Sequence, residues 1–395
     1  MQKIILRGGT LVTGNGLLCK DILISEGRIE AIIENGESVS SDYEEIDCTG
    51  LYVSAGFVDI HQHGGGGADY MDCDPDSYFD ATEAHLRHGA TSIMPTLLSA
   101  DTEVTLRAIE AYKAAKNDSR IRCNLIGLHI EGPYISPYQA GAQKPEHIRA
   151  FDESEYRKIY EASDGSIKRW SVAPEVDGAE KFAVFAKENG ITLSIAHSNA
   201  DIDTVYRAFD MGFRHVTHLY SCVSTITRKG GFRVPGVLEA AFLLDGMNVE
   251  IIADGCHLPH SLLSYVAKFK KCENIALITD AMRGAGQTEG ESFLGSRDDP
   301  LPVIIEDGVA KLLDRSAFAG SVATADRLLR NMLKCGVPLC EAVKMLTVNP
   351  LSMMGHDLKK GKLLPGFDAD ICVFDSDVNV KHVICNGELV TQPQV

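Results

Sequence analysis

Two histidines one residue apart, His61 and His63, close the apolar stretch GFVDIHQH, and four glycines, Gly64 to Gly67, follow at once. Side chains at i and i+2 of a strand point the same way. The pair therefore either grips one ion or stands as two polar residues at the mouth of a strand. Four more ionisable residues end apolar runs further along: Glu131 in GLHIEGPY, His197 in SIAHS, His218 in VTHLY and Asp280 in LITDAM. A lone His or Asp at a strand end is more often a hydrogen-bonding or capping residue than a ligand. Six imidazole and carboxylate groups in such places together point to a metal site. That donor set suits zinc, and equally iron, manganese or cobalt.

The elements that must position these groups follow from the patterning. Eight apolar runs read as strands: FVDIHQH, TSIMPTLL, NLIGLHIEG, IKRWSVAPE, ITLSIAHS, HVTHLY, VEIIADG and NIALITDA. Helical patterns such as DTEVTLRAIEAYKAAK and EYRKIYEAS separate most of them. Eight strand–helix units in roughly 250–300 residues predict an α/β fold, a (β/α)8 TIM-like barrel, whose chemistry sits at the C-terminal ends of the strands. An open doubly wound sheet is the rival, weakened because no GxGxxG follows a first strand. The two chain ends carry β patterns instead. KIILRGGTLV and DILISEGRIEAII begin the chain, and ADICVFDSDVNVKHVICNGELV, with the hairpin signal Asn386-Gly387, ends it. They predict a small β-sandwich domain over residues 1–54 plus 355–395, around a catalytic barrel over 55–354. Residues 282–318 interrupt the alternation, and VIIEDGVAKLL, turning at Asp307-Gly308, predicts a flap beside the active face. The glycines after His63 permit close backbone approach and positive φ, or form a plain turn.

Composition narrows the function classes. The chain has 395 residues, 45% hydrophobic and 24% charged, with 55 acidic against 38 basic residues and a net charge of −17. So acidic a surface repels nucleic acid and anionic membrane, and neither is expected as a partner. An anionic substrate needs a local basic patch, and Arg228, Lys229 and Arg233 cluster in one loop after His218. Eleven cysteines lie at irregular spacings with no CxxC pair, and MQKIILRGG is too short an apolar run for a signal peptide. Reduced thiols and a cytoplasmic location are expected. No run approaches the roughly 20 apolar residues of a membrane span. The remaining histidines read blandly. His85 and His88 end a helix before Gly89, His129 is either packed or supports the site, and His215, His356 and His382 have no neighbouring signal.

The motifs SAGFVDIHQHGGGG, GLHIEGPY, IAHSNA, VTHLY, IIADGCHLP, LITDAM, FAGS and PGFDADICVF, in this order, resemble the amidohydrolase superfamily. Within it the chain is most similar to N-acetylglucosamine-6-phosphate deacetylases. The resemblance implies an ion at Glu131, His197 and His218, with Glu131 where many relatives carry a carbamylated lysine. His61, His63 and Asp280 imply the site of a second ion, so one or two divalent ions per chain are expected, zinc foremost. Asp280 is implied as the general base that takes a proton from the attacking water and returns one to the leaving amine. Implied substrate contacts are Ala142, Gln143, Ser221, Cys222, Arg233, His257, Phe318 and Ala319, and a homodimer is implied as well. The implied reaction converts a phosphorylated N-acetyl amino sugar to amino sugar phosphate and acetate. Two departures stand out. The family's Asn-Ala pair after the strand-six histidine is Ser221-Cys222 here, and its Gly-x-His is Gly141-Ala142-Gln143. They leave open an amidohydrolase of another N-acyl sugar, an N-acyl amino acid or a cyclic amide. A non-enzymatic scaffold is the remaining reading, and retention of all six candidate ligands argues against it.

Overall fold

A computed structural model describes residues 3–355 and 359–390; His356 and the distal end of the predicted small domain lie outside the described residues. Eight parallel strands occupy the middle of the chain: Phe57–Gln62, Ala90–Leu97, Leu128–Glu131, Ile167–Val172, Thr192–Ile195, His215–Val216, Asn248–Ile252 and Ile275–Ile278. Each pairs with the next in sequence. Backbone bonds close the ring between the eighth and first, from Asp280 N to His61 O (2.9 Å) and from His63 N to Ala281 O (2.8 Å). Inside the ring, Thr279 Oγ1 donates to Asp59 Oδ2 at 2.5 Å across the same seam. The strands read as unbroken apolar runs because both their faces are covered, and every residue of the first two is buried.

Helices return the chain between strands, among them Pro75–Leu86, Thr102–Lys116, Glu153–Ala162, Ala179–Glu188, Ile202–Met211 and His260–Phe269. Several start on an aspartate that accepts backbone N–H groups of the first turn: Asp74 from Ser77, Asp152 from Ser154 and Glu155, Asp201 from Thr204. The main core fills the layer between these helices and the strands, around Trp170, Phe182, Tyr134 and Tyr156. Among the described residues no helix is long and apolar enough to cross a membrane.

The chain ends meet in one mixed nine-stranded sheet. Tyr52–Ala55 pairs antiparallel with Ile371–Phe374, joining the beginning of the chain to its end. The long strand Gly16–Ser25 pairs with Thr10–Thr13 over its first half and with Ile4–Arg7 over its second, so the sheet folds round one apolar cluster including Ile4, Ile22, Val53 and Ile371. Asn386 and Gly387 have φ of 52° and 79°, as a type I′ turn requires. Only Gly56 separates this sheet from the first barrel strand.

After the eighth barrel strand comes an antiparallel sheet of Gly290–Leu294, Leu301–Glu306 and Val309–Leu312. It has one strand more than the hairpin pattern predicts. Its inner residues Leu294, Val303, Ile305 and Ala310 pack on Met282, Ala319 and Val322, which anchors it as a wall. A second hairpin, Thr227–Lys229 with Phe232–Val234, turns at Gly230 and Gly231 (φ 55° and 88°). The Gly-Gly signal for it is present in TRKGGFRV, the stretch expected from the sequence as a loop carrying Arg228, Lys229 and Arg233.

Candidate metal centre

His61 lies on the first barrel strand and His63 just beyond it, both inside the barrel mouth. The glycines that follow have a steric reason. Gly64 and Gly65 pair back onto Ala68 and Asp69, and a Cβ on Gly64 would stand 2.1 Å from the Ala68 carbonyl oxygen. The turn between them uses Gly66 and Gly67 at φ 60° and 89°. His197, His218 and Asp280 each follow their strands by two residues and adopt φ of 44°, 30° and 49°. Such angles are uncommon outside glycine and gather at functional sites. Here they accompany side chains that converge over the strand ends.

The six side chains form two groups, His61 with His63 and Asp280, and Glu131 with His197 and His218; within each, the ligating atoms lie within 4.8 Å of one another. All six residues are buried. Glu131 stands between the groups. Its Oε1 is 2.9 Å from His218 Nε2 and 3.3 Å from His197 Nε2, while its Oε2 is 3.3 Å from His63 Nε2. Asp280 Oδ1 is 3.1 Å from His63 Nε2 and 3.4 Å from His61 Nε2.

The far ring nitrogens bear on what this cluster can hold. Nδ1 of His63, His197 and His218 meets the carbonyl oxygens of Thr96 (3.2 Å), Gln139 (2.8 Å) and Ser221 (3.1 Å). A carbonyl only accepts, so each Nδ1 carries the proton. In the neutral ring, each Nε2 then turns a lone pair toward a carboxylate, which is repulsive unless a cation sits between them. The alternative is to protonate the rings. Burial opposes that, yet the carboxylates of Glu131 and Asp280 still raise His61 to about 9 and His63 to about 10. Burial likewise favours a neutral Glu131, but the surrounding imidazoles hold it well below the ordinary carboxylate range. The buried His61 Nε2 has no hydrogen-bond partner. Two carboxylates inside a ring of four imidazoles thus demand positive charge, and these residues fit one or two divalent ions.

A cavity of about 190 Å³ opens over the cluster. Of the residues expected to contact substrate, Ala142, Gln143, Ser221, Cys222, His257 and Phe318 line it. Ala319 does not: it packs in the apolar cluster of the anchored sheet, while its neighbours Phe318 and Gly320 face the cavity. Nor does Arg233, which is exposed on the Gly-Gly hairpin directly opposite Arg228. Leu98, Leu294 and Ala317 complete an apolar wall that the motifs did not single out.

Several supports are built in beside the cavity. Gln143 Oε1 accepts the Ser99 N–H (3.1 Å), which turns its amide nitrogen onto Glu131 Oε2 (3.1 Å). Asp254 accepts His257 Nδ1–H at 2.8 Å and packs the ring beside Phe318, leaving the opposite edge for the cavity. Burial raises the Asp254 carboxyl, but His257 brings it below its ordinary value. Gly141 is needed because a Cβ there would lie 2.5 Å from Cys222 Sγ, at φ 57°. His129 bridges Thr96 Oγ1 (3.1 Å) and Ser171 Oγ (2.6 Å) below the cluster, and His85 holds the Gly64 carbonyl at 2.9 Å. His88 pairs with Asp326 at 3.2 Å. Motif reading missed Asp254, Arg169 and Glu250. The last two were visible as charges inside the apolar strands IKRWSV and VEII.

A closed parallel barrel that gathers histidines and carboxylates at its C-terminal strand ends defines a metal-dependent hydrolase. Residues 52–390 match the Amidohydrolase family, and the chain belongs to it. It is 30% identical to N-acetylglucosamine-6-phosphate deacetylase of Bacillus subtilis (strain 168) over 398 residues, covering 98% of this chain and 97% of the relative. It is also 30% identical to N-acetylgalactosamine-6-phosphate deacetylase of Escherichia coli O157:H7, covering 98% and 99%. The solved structure of a mutant N-acetyl-D-glucosamine-6-phosphate deacetylase from Mycobacterium smegmatis, in complex with N-acetyl-D-glucosamine-6-phosphate, superposes with a TM-score of 0.90 at 29% identity, over 99% of this chain and all of that one.

Proposed function

We propose that this chain is a metal-dependent deacetylase that hydrolyses the N-acetyl group of N-acetylglucosamine-6-phosphate, giving amino sugar phosphate and acetate. The observation that carries the reading is the joint presence of all six candidate ligands beneath one cavity, in a chain similar end to end to such deacetylases. A bound divalent ion, zinc foremost and otherwise iron, manganese or cobalt, supplies a Lewis acid that acidifies water and polarises the acyl carbonyl. Glu131, His197 and His218 hold one ion, and His61, His63 and Asp280 hold a second. Asp280 lines the cavity, accepts a proton from the attacking water and returns one to the leaving nitrogen. His257, oriented by Asp254, presents its other ring nitrogen to the sugar, and Gln143 keeps Glu131 turned toward the histidines. The wall of Leu98, Leu294 and Phe318 shields the reacting amide from bulk water.

The phosphate is assigned to the cationic hairpin. Arg228 and Arg233 are directly opposed across its two strands. Like charges so placed repel, and an anion between them relieves the repulsion. Phe232, 80% exposed on the same hairpin, suits burial at the interface of a homodimer. Eleven free cysteines suit a reducing, cytoplasmic setting. A second reading keeps the chemistry and changes the sugar to N-acetylgalactosamine-6-phosphate, because the relative of that name is as similar as the first. Acetate release from both N-acetyl sugars, with and without the 6-phosphate, tests the proposal. Preference for phosphorylated N-acetylglucosamine supports it, preference for the galactose epimer selects the second reading, and no release from any of the four contradicts both.

A further inference from the structure

Below the candidate ligands, the barrel interior holds a buried ion pair between Arg169 and Glu250. Arg169 and Glu250 are buried, 0% and 1% exposed. Arg169 Nη1 donates to Glu250 Oε1, and its Nη2 donates to Ser194 Oγ (3.0 Å) and Thr217 Oγ1 (2.9 Å). The second carboxylate oxygen, Glu250 Oε2, faces Nδ1 of His61 at 3.4 Å. Stability alone is a poor reason for this pair. Taking two charges out of water is costly, and apolar side chains of similar volume often serve a buried site as well or better. The interiors of such barrels are usually filled by branched apolar residues.

The position of the pair gives a better reason. The other three imidazoles of the cluster are oriented by backbone carbonyls, those of Thr96, Gln139 and Ser221. His61 alone of the four has a carboxylate at Nδ1. A carboxylate there fixes the proton on Nδ1, fixes the ring plane and makes Nε2 a stronger donor to a metal. The Nε2 so prepared is buried and without a hydrogen-bond partner. Because Arg169 is itself tied to strands five and six through Ser194 and Thr217, it holds the Glu250 carboxylate at a set height below His61.

We infer that Glu250, locked by Arg169, is a positioning residue that aims His61 at the ion of the His61, His63 and Asp280 group, and so governs retention of that ion while leaving the Glu131, His197 and His218 ion unaffected. The inference rests on the two-ion reading proposed above.

The test is Glu250→Gln. An amide has one acceptor oxygen where the carboxylate has two, so Arg169 and His61 compete for it and one of them faces an NH2 group. Metal-stripped protein is titrated with cobalt(II), followed by its visible absorption and by competition with a chelator, and thermal unfolding is recorded in parallel. The parent is expected to take up two ions. Glu250→Gln is expected to keep one at parental affinity and to bind the other tenfold to hundredfold more weakly. The double variant Arg169→Met with Glu250→Leu removes both charges, so no arginine is stranded, and is expected to show the same selective loss. Two ions at parental affinity in both variants overturn this inference and leave the metal reading standing. Equal weakening of both ions together with a lowered Tm also overturns it, since that marks a merely structural pair. A parent that binds no ion overturns this inference together with the metal reading.

Discussion

Asp280→Asn keeps the size of the side chain and removes its charge. The carboxylate stands 3.1 Å from His63 Nε2 and 3.4 Å from His61 Nε2 and lines the cavity. Two losses follow. The His61 and His63 group gives up its one anionic donor, so its ion is held less tightly. The reacting water also loses its proton acceptor, because an amide does not take a proton near neutral pH. General-base removal typically slows turnover by about 10²–10⁴, equivalent to about 3–5 kcal/mol in the barrier. Burial penalises the charge of Asp280, but His61 and His63 hold its carboxyl below the ordinary value, so the parent supplies the base across the neutral range. Asn fills the same volume in the same loop, whose backbone bonds from Asp280 N to His61 O and from Ser321 N to Asp280 O do not involve the side chain. The fold should therefore survive. The assay is acetate release under saturating substrate, with elemental analysis and thermal unfolding on the same preparation. A folded variant that keeps its metal and turns over within a few-fold of the parent would refute the assignment of Asp280 as the base.

Two further outcomes are expected. Arg233→Ala should raise KM for the phosphorylated sugar by about tenfold to a hundredfold, as loss of one charge-assisted hydrogen bond of roughly 1.5–3 kcal/mol implies, and should leave the unphosphorylated sugar nearly unchanged; equal effects on both would make the hairpin structural. Asp326 is buried, which by itself raises its carboxyl, but hydrogen bonding and charge from His88, with Thr324 and Arg330, hold it at about 2 against an ordinary 3.8. A depressed pKa stabilises the fold above the unfolded value and loses that contribution as pH falls from 3.8 toward 2. The gap corresponds to about 2 kcal/mol, so Asp326→Asn should flatten this part of the acid-unfolding curve, and an unchanged curve would contradict it.

The barrel was legible because its eight strands are covered on both faces and so appear as continuous apolar runs with a polar residue at the end of several. The small sheet was legible through Asn386-Gly387 and the β-rich ends. The six candidate ligands could be picked out because each stands where an apolar run stops. What escaped was the set of partners joined only by the fold. Asp254 and His257 are three residues apart, yet nothing in IIADGCH says that one carboxylate receives both the ring and two backbone N–H groups. Arg169 and Glu250 lie 81 residues apart and meet only because closure of the barrel turns side chains of its fourth and seventh strands into one interior. Arg233, an implied substrate contact, stands exposed opposite Arg228 on the Gly-Gly hairpin and is not among the residues lining the cavity. Around FAGS it is Phe318 and Gly320 that line the cavity, while Ala319 between them packs into the apolar cluster of the anchored sheet.

The most direct test of a metal-dependent deacetylase built on Glu131, His197, His218, His61, His63 and Asp280 is to strip the purified protein with a chelator, measure acetate release from N-acetylglucosamine-6-phosphate, and restore zinc, iron, manganese or cobalt stepwise. The expected result is one or two ions per chain before stripping, no turnover after it, and recovery in proportion to the metal returned. Full activity in metal-free protein, or a fully metal-loaded protein that releases no acetate from any N-acetyl sugar phosphate, would contradict it.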